Sequence, residues 1–306
     1  MSSIIDRILK QSEDKDLLDK LISLSKSDLN SLLLRVFQIQ ASTIKPIDLL
    51  KAFEINRFSI PSEIDPIKYH ELEVELLTLA KNFDIKSILL SPAALLSSCS
   101  AFSCVDQNNI VSATRGIEIL SDPTNMLSII IGSKLKNKEL DNKTPLHFCT
   151  TTRVTRAALF PNTKRHFAHF GIFCIVSSGK DTGSYFCEKD LLMKQITYLK
   201  ELLTEKYNAK LKITLRKRSG YSNNDVFFNN MVELIKIKFP DVAFSYELKH
   251  TDNNYYKGIN YKIYMDMQGE MIEIGDGGFV DWIQQMTNNK KERCLICGIG
   301  LDRLLL

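Results

Sequence analysis

Strand-like runs follow one another through most of this chain, often with no helix between them, and that succession limits the fold more than any other feature. The runs are "NIVSATRGIEIL", "KTPLHFCTTTRVTR", "HFAHFGIFCIVSS", "AKLKITLRKR", "VAFSYELK", "NYKIYMDM", "EMIEIGDGGF" and "ERCLICGIG". Two helices are expected among them, one over about 187–207 and one across "VFFNNMVELIKIKF". Strands that return without a helical crossover pair antiparallel. The expected fold class is therefore α+β, an antiparallel sheet flanked by helices packed on one face. The pattern argues against a dinucleotide-binding reading of the closing "CGIGLDR", because no βαβ unit follows those glycines.

Upstream of the sheet, "DLLDKLISL", "SDLNSLLLRVFQIQ" and "KPIDLLKAFEI" place apolar residues at helical spacing. Two prolines in "NRFSIPSEIDP" then mark a boundary. The expected organisation is a helical N-terminal cap over 1–60 and a core over 61–306, opened by the amphipathic "YHELEVELLTLAKNFDI". Nothing chemical stands out in the cap, which reads as a cover or a dimerisation element.

The 306 residues are 44% hydrophobic and 25% charged, enough apolar material for one large domain or two smaller ones. With 40 basic against 36 acidic residues the net charge is only +4, so composition announces no nucleic-acid face. The N-terminus is charged throughout and lacks the apolar core of a signal peptide. No apolar run approaches the roughly 20 residues that span a bilayer. A cytoplasmic protein with no membrane partner is expected. The seven cysteines are odd in number and sit mostly in apolar contexts, as reduced thiols do. Cys294 and Cys297 have metal-like spacing, but no second pair accompanies them and their segment reads as a buried strand, so no protein metal site is expected.

Four stretches carry candidate chemistry. In "ILSDPTNMLS", Asp122 and Thr124 stand beside a proline turn, either capping a helix or offering oxygens to an ammonium group. In "TTRVTRAALFPNTKRHFAHFGIF", Arg153 and Arg156 lie on one strand, a turn carries Pro161 and Asn162, and Lys164, Arg165, His166 and His169 return among Phe167, Phe170 and Phe173. Arginine suits phosphate or carboxylate recognition through its planar fork, and equally suits an exposed hairpin edge. In "DNNYYKGINYKIYMDM" and "IEIGDGGFVDW", Tyr255 and Tyr256 precede a strand. Gly275, Gly277 and Gly278 with Asp276 read as a tight turn, and Asp276 and Asp281 are placed to meet a cation. In "GIGLDR", Gly298 and Gly300 leave room for a flat ring, which Arg303 would cover.

Together these stretches resemble class II aminoacyl-tRNA synthetases. "TTRVTR…HFAHFGIF" is similar to their motif 2 and "CGIGLDRLLL" to their motif 3. Within the class the resemblance is to histidyl-tRNA synthetase and to the regulatory subunit of ATP phosphoribosyltransferase, through "NNYYKGINYKIY" and "GDGGFVDW". "LAKNFDIKSILLSPA" falls where motif 1, the dimer-forming element, is expected. The resemblance covers about 67–306.

It implies ATP as a ligand, with Mg²⁺ bridging the phosphates. Arg153 and Arg156 would bind ATP, Arg156 at the α-phosphate, with Phe170 stacked on adenine. Gly298 and Gly300 would form the floor, and Arg303 would cover the ring and reach the γ-phosphate. Arg156 and Arg303 would be the catalytic residues. Asp122, Thr124, Tyr255, Tyr256, Gly277 and Asp281 would bind a small amino acid or similar carboxylate. The chain departs from the pattern at Ala158, where an acidic residue follows the motif 2 arginine, and at His169. An arginine expected before the paired tyrosines falls near Thr251, with only Lys249 and His250 close by. No segment follows motif 3, so an anticodon-binding domain is not expected.

The function implied is ATP-dependent activation of an amino acid or small carboxylate by a homodimer that does not decode tRNA. A carrier or partner enzyme would take the product, and tRNA is left open as a partner. The alternative implied is a catalytically inactive regulatory or binding subunit of a partner enzyme.

Overall fold

The computed structural model describes residues 2–158, 168–248, 254–267 and 269–305. Pro161, Asn162, Lys164, Arg165, His166 and Phe167 of the hairpin tip, and Lys249, His250 and Thr251, lie outside the described residues. In chain order the first half contains α1 (Ser2–Gln11), α2 (Leu17–Ser23), α3 (Lys26–Ser42), α4 (Pro46–Ile55), α5 (Pro66–Asn82), β1 (Lys86–Ser87), β2 (Ala93–Leu95), α6 (Ser100–Ser103), β3 (Ile117–Ile119) and α7 (Pro123–Lys136). The second half contains β4 (Leu146–Thr155), β5 (His169–Lys180), α8 (Phe186–Tyr207), β6 (Leu211–Lys217), α9 (Asn224–Lys238), β7 (Ala243–Glu247), β8 (Lys257–Met267), β9 (Glu270–Val280), α10 (Trp282–Thr287), β10 (Glu292–Gly300) and α11 (Leu301–Leu304).

Eight strands form one sheet in the order β1-β4-β5-β10-β9-β8-β6-β7. Pairing is antiparallel throughout the middle and parallel only at the two edges, β1 with β4 and β6 with β7. Strands β2 and β3 make a separate antiparallel pair. The expected antiparallel α+β architecture is thus the observed one.

Side chains alternate across each strand, and the alternation sorts the core into two layers. Cys149, Phe173, Ile175, Leu295, Cys297 and Ile299 face α5, α8 and α9. Phe148, Cys174, Val176, Cys294 and Ile296 face α7 and α10, meeting Leu127, Ile131, Trp282 and Ile283. Helices therefore pack on both faces, which corrects the one-face expectation. Helices α7 and α10 cover only the part of the second face near Phe148, Val176 and Cys294.

The same alternation settles the cysteine pair. Cys294 and Cys297 are three apart on β10 and sit on opposite faces, each buried in a different cluster. Burial pushes both thiols up to about 12. Among the described residues no group of His, Cys, Asp or Glu is arranged to hold a metal.

One expectation about the backbone fails. Gly275, Gly277 and Gly278 lie inside β9 rather than in a tight turn, and none has a positive φ. They are needed for closeness between strands. A Cβ on Gly275 would sit 2.0 Å from the Gly298 carbonyl oxygen, and one on Gly277 would sit 2.5 Å from that of Ile296.

Residues 2–55 form the four helices α1 to α4, of which α2, α3 and α4 bury no residue. The segment that follows grips the core through Arg57, which donates from Nη1 to the Ala158 carbonyl (3.0 Å) and from Nη2 to the Ala157 carbonyl. No helix among the described residues is long and apolar enough to cross a membrane.

Candidate functional site

Where α7 and α10 stop, the second face of the sheet is open, and a cavity of about 210 Å³ occupies the gap. Its floor is β5, β10 and β9: Phe170 and Ile172, then Ile296, Gly298 and Gly300, then Ile274, Gly275 and Asp276. Asp122, Thr124, Arg156, Tyr255, Tyr256, Asp302 and Arg303 close the sides. Gly298 and Gly300 keep the floor low. A Cβ on Gly298 would meet only Ile172, at 3.2 Å, and one on Gly300 only the Arg303 side chain, at 3.5 Å.

Asp122 is the helix cap that one expectation described, and its carboxylate also reaches the cavity. As the N-cap of α7 it accepts through Oδ1 from the Thr124 N–H (2.9 Å) and the Thr124 hydroxyl (2.7 Å). Its other oxygen accepts from the Tyr255 hydroxyl at 3.1 Å, on the cavity side. The neighbouring Tyr256 repeats the arrangement, donating to Asp276 Oδ2 at 3.1 Å. Burial holds both tyrosine hydroxyls well above their usual range, and the Asp122 and Asp276 charges add to the effect. Both therefore stay protonated and act as donors.

The two cavity arginines arrive from distant parts of the chain. Arg156 extends the β4–β5 hairpin, its N–H donating to Ala168 O at 2.7 Å. Its Nε donates to Ser121 O at 3.2 Å, and its guanidinium lies 5.1 Å from the Phe170 ring centre. Arg303 sits on α11, and its Nη1 donates to the Glu273 carbonyl at 2.7 Å. Each guanidinium has five N–H donors, so each interaction commits one of several.

Three expected residues are not brought to the cavity. Arg153 is three residues before Arg156, which on a strand means the opposite face. It bonds His169 Nδ1 at 2.8 Å and lies over the Tyr69 ring at 5.5 Å. Gly277 also faces the other way, against the Tyr261 ring on the α8 side. Asp281 sits beyond the end of β9 as the N-terminal flank of α10, where it pairs with Lys257 at 3.5 Å.

Conversely, Asp302 was not singled out and lines the cavity. It is 7% exposed, accepts from Gly171 N–H at 2.9 Å through Oδ1, and has no hydrogen-bond partner at Oδ2 among the described residues. Its place beside Arg303 in the closing motif was the available signal.

The fold is class II aminoacyl-tRNA synthetase-like, by its likeness to solved structures. No protein-family model matches the sequence, and no curated protein matches it. Solved structures do share the fold. Apo histidyl-tRNA synthetase from S. aureus superposes with a TM-score of 0.59 at 12% identity, covering 80% of this chain and 68% of that one. An ATP phosphoribosyltransferase regulatory subunit/histidyl-tRNA synthetase from Bacillus halodurans gives 0.60 at 12% identity, covering 81% of each chain. The RNA-binding domain of threonyl-tRNA synthetase from Cryptosporidium parvum gives 0.61 at 9% identity, covering 77% of this chain and 62% of that one.

Proposed function

We propose that this cavity binds ATP together with a small amino acid and joins them as an acyl-adenylate. The observation that carries the reading is convergence: Asp122, Arg156, Phe170 and Arg303, spread over 181 positions, line one cavity. In this reading the amino acid's ammonium lies against Asp122 and Thr124. Its carboxylate attacks the α-phosphorus, and pyrophosphate leaves. Arg156 stabilises the charge that grows on the α-phosphoryl oxygens, and Arg303 takes the outer phosphates. Phe170 offers a ring face to adenine over the floor kept open by Gly298 and Gly300. Because Arg156 already lies over Phe170, the nucleobase uses the other face or displaces the guanidinium.

Mg²⁺ is part of the proposal as a companion of the phosphates. The described residues contain no cluster able to hold it unaided, which suits an ion bound mainly by phosphate oxygens and water. A homodimer is proposed as well, supported by apolar exposure next to β1, where Leu89 is 94% exposed, and in β2 and its flank at Leu95 and Leu96. Light scattering at micromolar concentration would return twice the chain mass.

The test is amino-acid-dependent ATP–pyrophosphate exchange across a panel of amino acids. At least one should support exchange, and Arg156→Ala or Arg303→Ala should each lower it by about a hundredfold or more, the loss typical of a preorganised donor. No exchange together with no calorimetric ATP binding would sink the reading. ATP binding without exchange favours a second reading, a regulatory or binding subunit of a partner enzyme. Ala158 supports that second reading, because the synthetase pattern has an acidic residue there.

A further inference from the structure

Three carboxylates and two guanidiniums line the cavity: Asp122, Asp276 and Asp302 with Arg156 and Arg303. Asp302 has a further cation beside it, Arg153 at 3.9 Å. Asp276 shares Lys262, 3.7 Å away, with Glu273, which is closer at 2.8 Å, so its charge is only partly offset. A ligand cation placed beside Asp276 would complete the offset.

The Asp276 carboxylate is also within reach of a ligand. Asp276 lies on β9 directly across from Gly298 on β10, in register and on the same face. With no side chain at Gly298, the space next to the Asp276 carboxylate is open to the cavity. Tyr256, 8% exposed, holds the carboxylate by its Oδ2. The adjoining Tyr255 holds Asp122, and the two rings meet edge to face with centres 4.7 Å apart. Two carboxylates are therefore presented side by side by adjacent tyrosines, each keeping acceptor capacity for a ligand. Asp302, also on the cavity wall and 7% exposed, has Arg153 3.9 Å from its Oδ1 but leaves Oδ2 without a hydrogen-bond partner among the described residues, so the wall has a buried acceptor to spare.

We propose that Asp276, held by Tyr256, is the specificity-determining residue of this cavity and selects a substrate with a second cationic group: a basic amino acid rather than a neutral one. The α-ammonium takes Asp122 and Thr124, and the side-chain cation takes Asp276. This rests on reading the cavity as an amino-acid site, but not on adenylation. Asp276 makes no contact with the reacting atoms. It acts by discriminating between side chains, because a carboxylate whose one lysine is shared with Glu273 is left poorly compensated beside a neutral side chain.

The experiment is calorimetric binding to the full chain with matched pairs: lysine against norleucine, ornithine against norvaline, and arginine against citrulline. At least one cationic member should bind at least tenfold tighter than its neutral counterpart. Asp276→Asn keeps an oxygen for the Tyr256 hydroxyl and so keeps the wall intact. It should lower binding of the cationic ligand about ten- to a hundredfold while changing the neutral one little, which erases the preference. Equal binding within every pair, a preference that survives Asp276→Asn, or no binding by any amino acid would overturn the inference. Pyrophosphate exchange separates it from the proposed chemistry. Exchange driven by neutral amino acids overturns the selectivity and leaves adenylation standing. Asp276-dependent binding of a basic amino acid without exchange overturns adenylation and leaves the selectivity standing.

Discussion

Asp122 divides its two carboxylate oxygens between structure and ligand space, and the two roles separate by substitution. Oδ1 caps α7 through Thr124, while Oδ2 meets Tyr255 at the cavity. Asp122→Ala removes the cap and should cost about 1 kcal/mol of stability, read from the denaturant midpoint. Asp122→Asn keeps an acceptor for the Thr124 N–H and should unfold close to wild type. Under the proposed function it nevertheless loses the charge that meets an ammonium, so amino-acid binding should weaken by about 1.5–3 kcal/mol in calorimetry. Equal losses of stability in both variants would mean that the charge itself, rather than the capping oxygen, is what α7 needs. The arginines differ in how far sequence could place them. Arg156 and Arg153 are the same residue type on the same run, and only strand alternation sends one to the cavity and the other to Tyr69 and His169. That alternation was available in the sequence. A reading by motif alone set it aside.

At the scale of elements, the strands with strong local patterning were legible and those defined by their neighbours were not. "ERCLICGIG" is β10 from end to end, and the helix expected at about 187–207 is α8, Phe186–Tyr207. Both carry long runs of apolar residues at one period. "IEIGDGGF" misled because glycines usually announce turns, whereas here the demand comes from the neighbouring strands of the sheet rather than from the local chain. That demand yields a contrast between two glycines. A Cβ on Gly275 meets a carbonyl oxygen of the neighbouring strand at 2.0 Å, an atom that cannot move without breaking the β9–β10 ladder. Gly275→Ala should therefore cost about 3 kcal/mol or more. A Cβ on Gly298 meets the flexible tip of Ile172 at 3.2 Å, so Gly298→Ala should cost about 1 kcal/mol. In the second variant the methyl group stands on the cavity floor, and ATP affinity should fall although the fold survives. Denaturant titration beside nucleotide calorimetry reads both effects. A Gly298→Ala protein with wild-type nucleotide affinity would remove that glycine from the site.

The molecule as a whole carries a polar chain that joins β8, α8, β5 and β4 on the α8 side of the sheet and gives stability a pH dependence. Tyr261 donates to Gln195 Oε1 at 2.6 Å, and Gln195 donates through Nε2 to Ser177 Oγ at 3.0 Å. The Ser177 hydroxyl hydrogen is then left for His147 Nδ1, 2.9 Å away. That direction makes Nδ1 an acceptor and His147 neutral, with its proton on Nε2. Burial, helped by the charge of Lys194, accordingly lowers His147 from 6.5 to about 4. Nothing local announces this, since the partners come from α8, β5 and β8 and meet only in the folded chain. The sign follows from proton uptake. Between about pH 6.5 and pH 4 the unfolded chain binds a proton that the folded one refuses, so the contribution is complete above that window and is lost as pH falls through it. The loss amounts to about 2–3 kcal/mol once partial exposure is discounted. Carboxylates also titrate near the bottom of the window, and burial raises Glu292, which shifts stability in the opposite sense. The histidine is therefore isolated by difference. His147→Asn presents an oxygen near the place of Nδ1 for the Ser177 hydroxyl and cannot take up the proton. Denaturant midpoints measured from pH 4 to pH 7 should fall less steeply toward acid in the variant than in wild type, with the two curves separating below pH 6.5. Parallel curves would mean that His147 is protonated in the folded state and that the Tyr261–Gln195–Ser177 chain runs in the other direction.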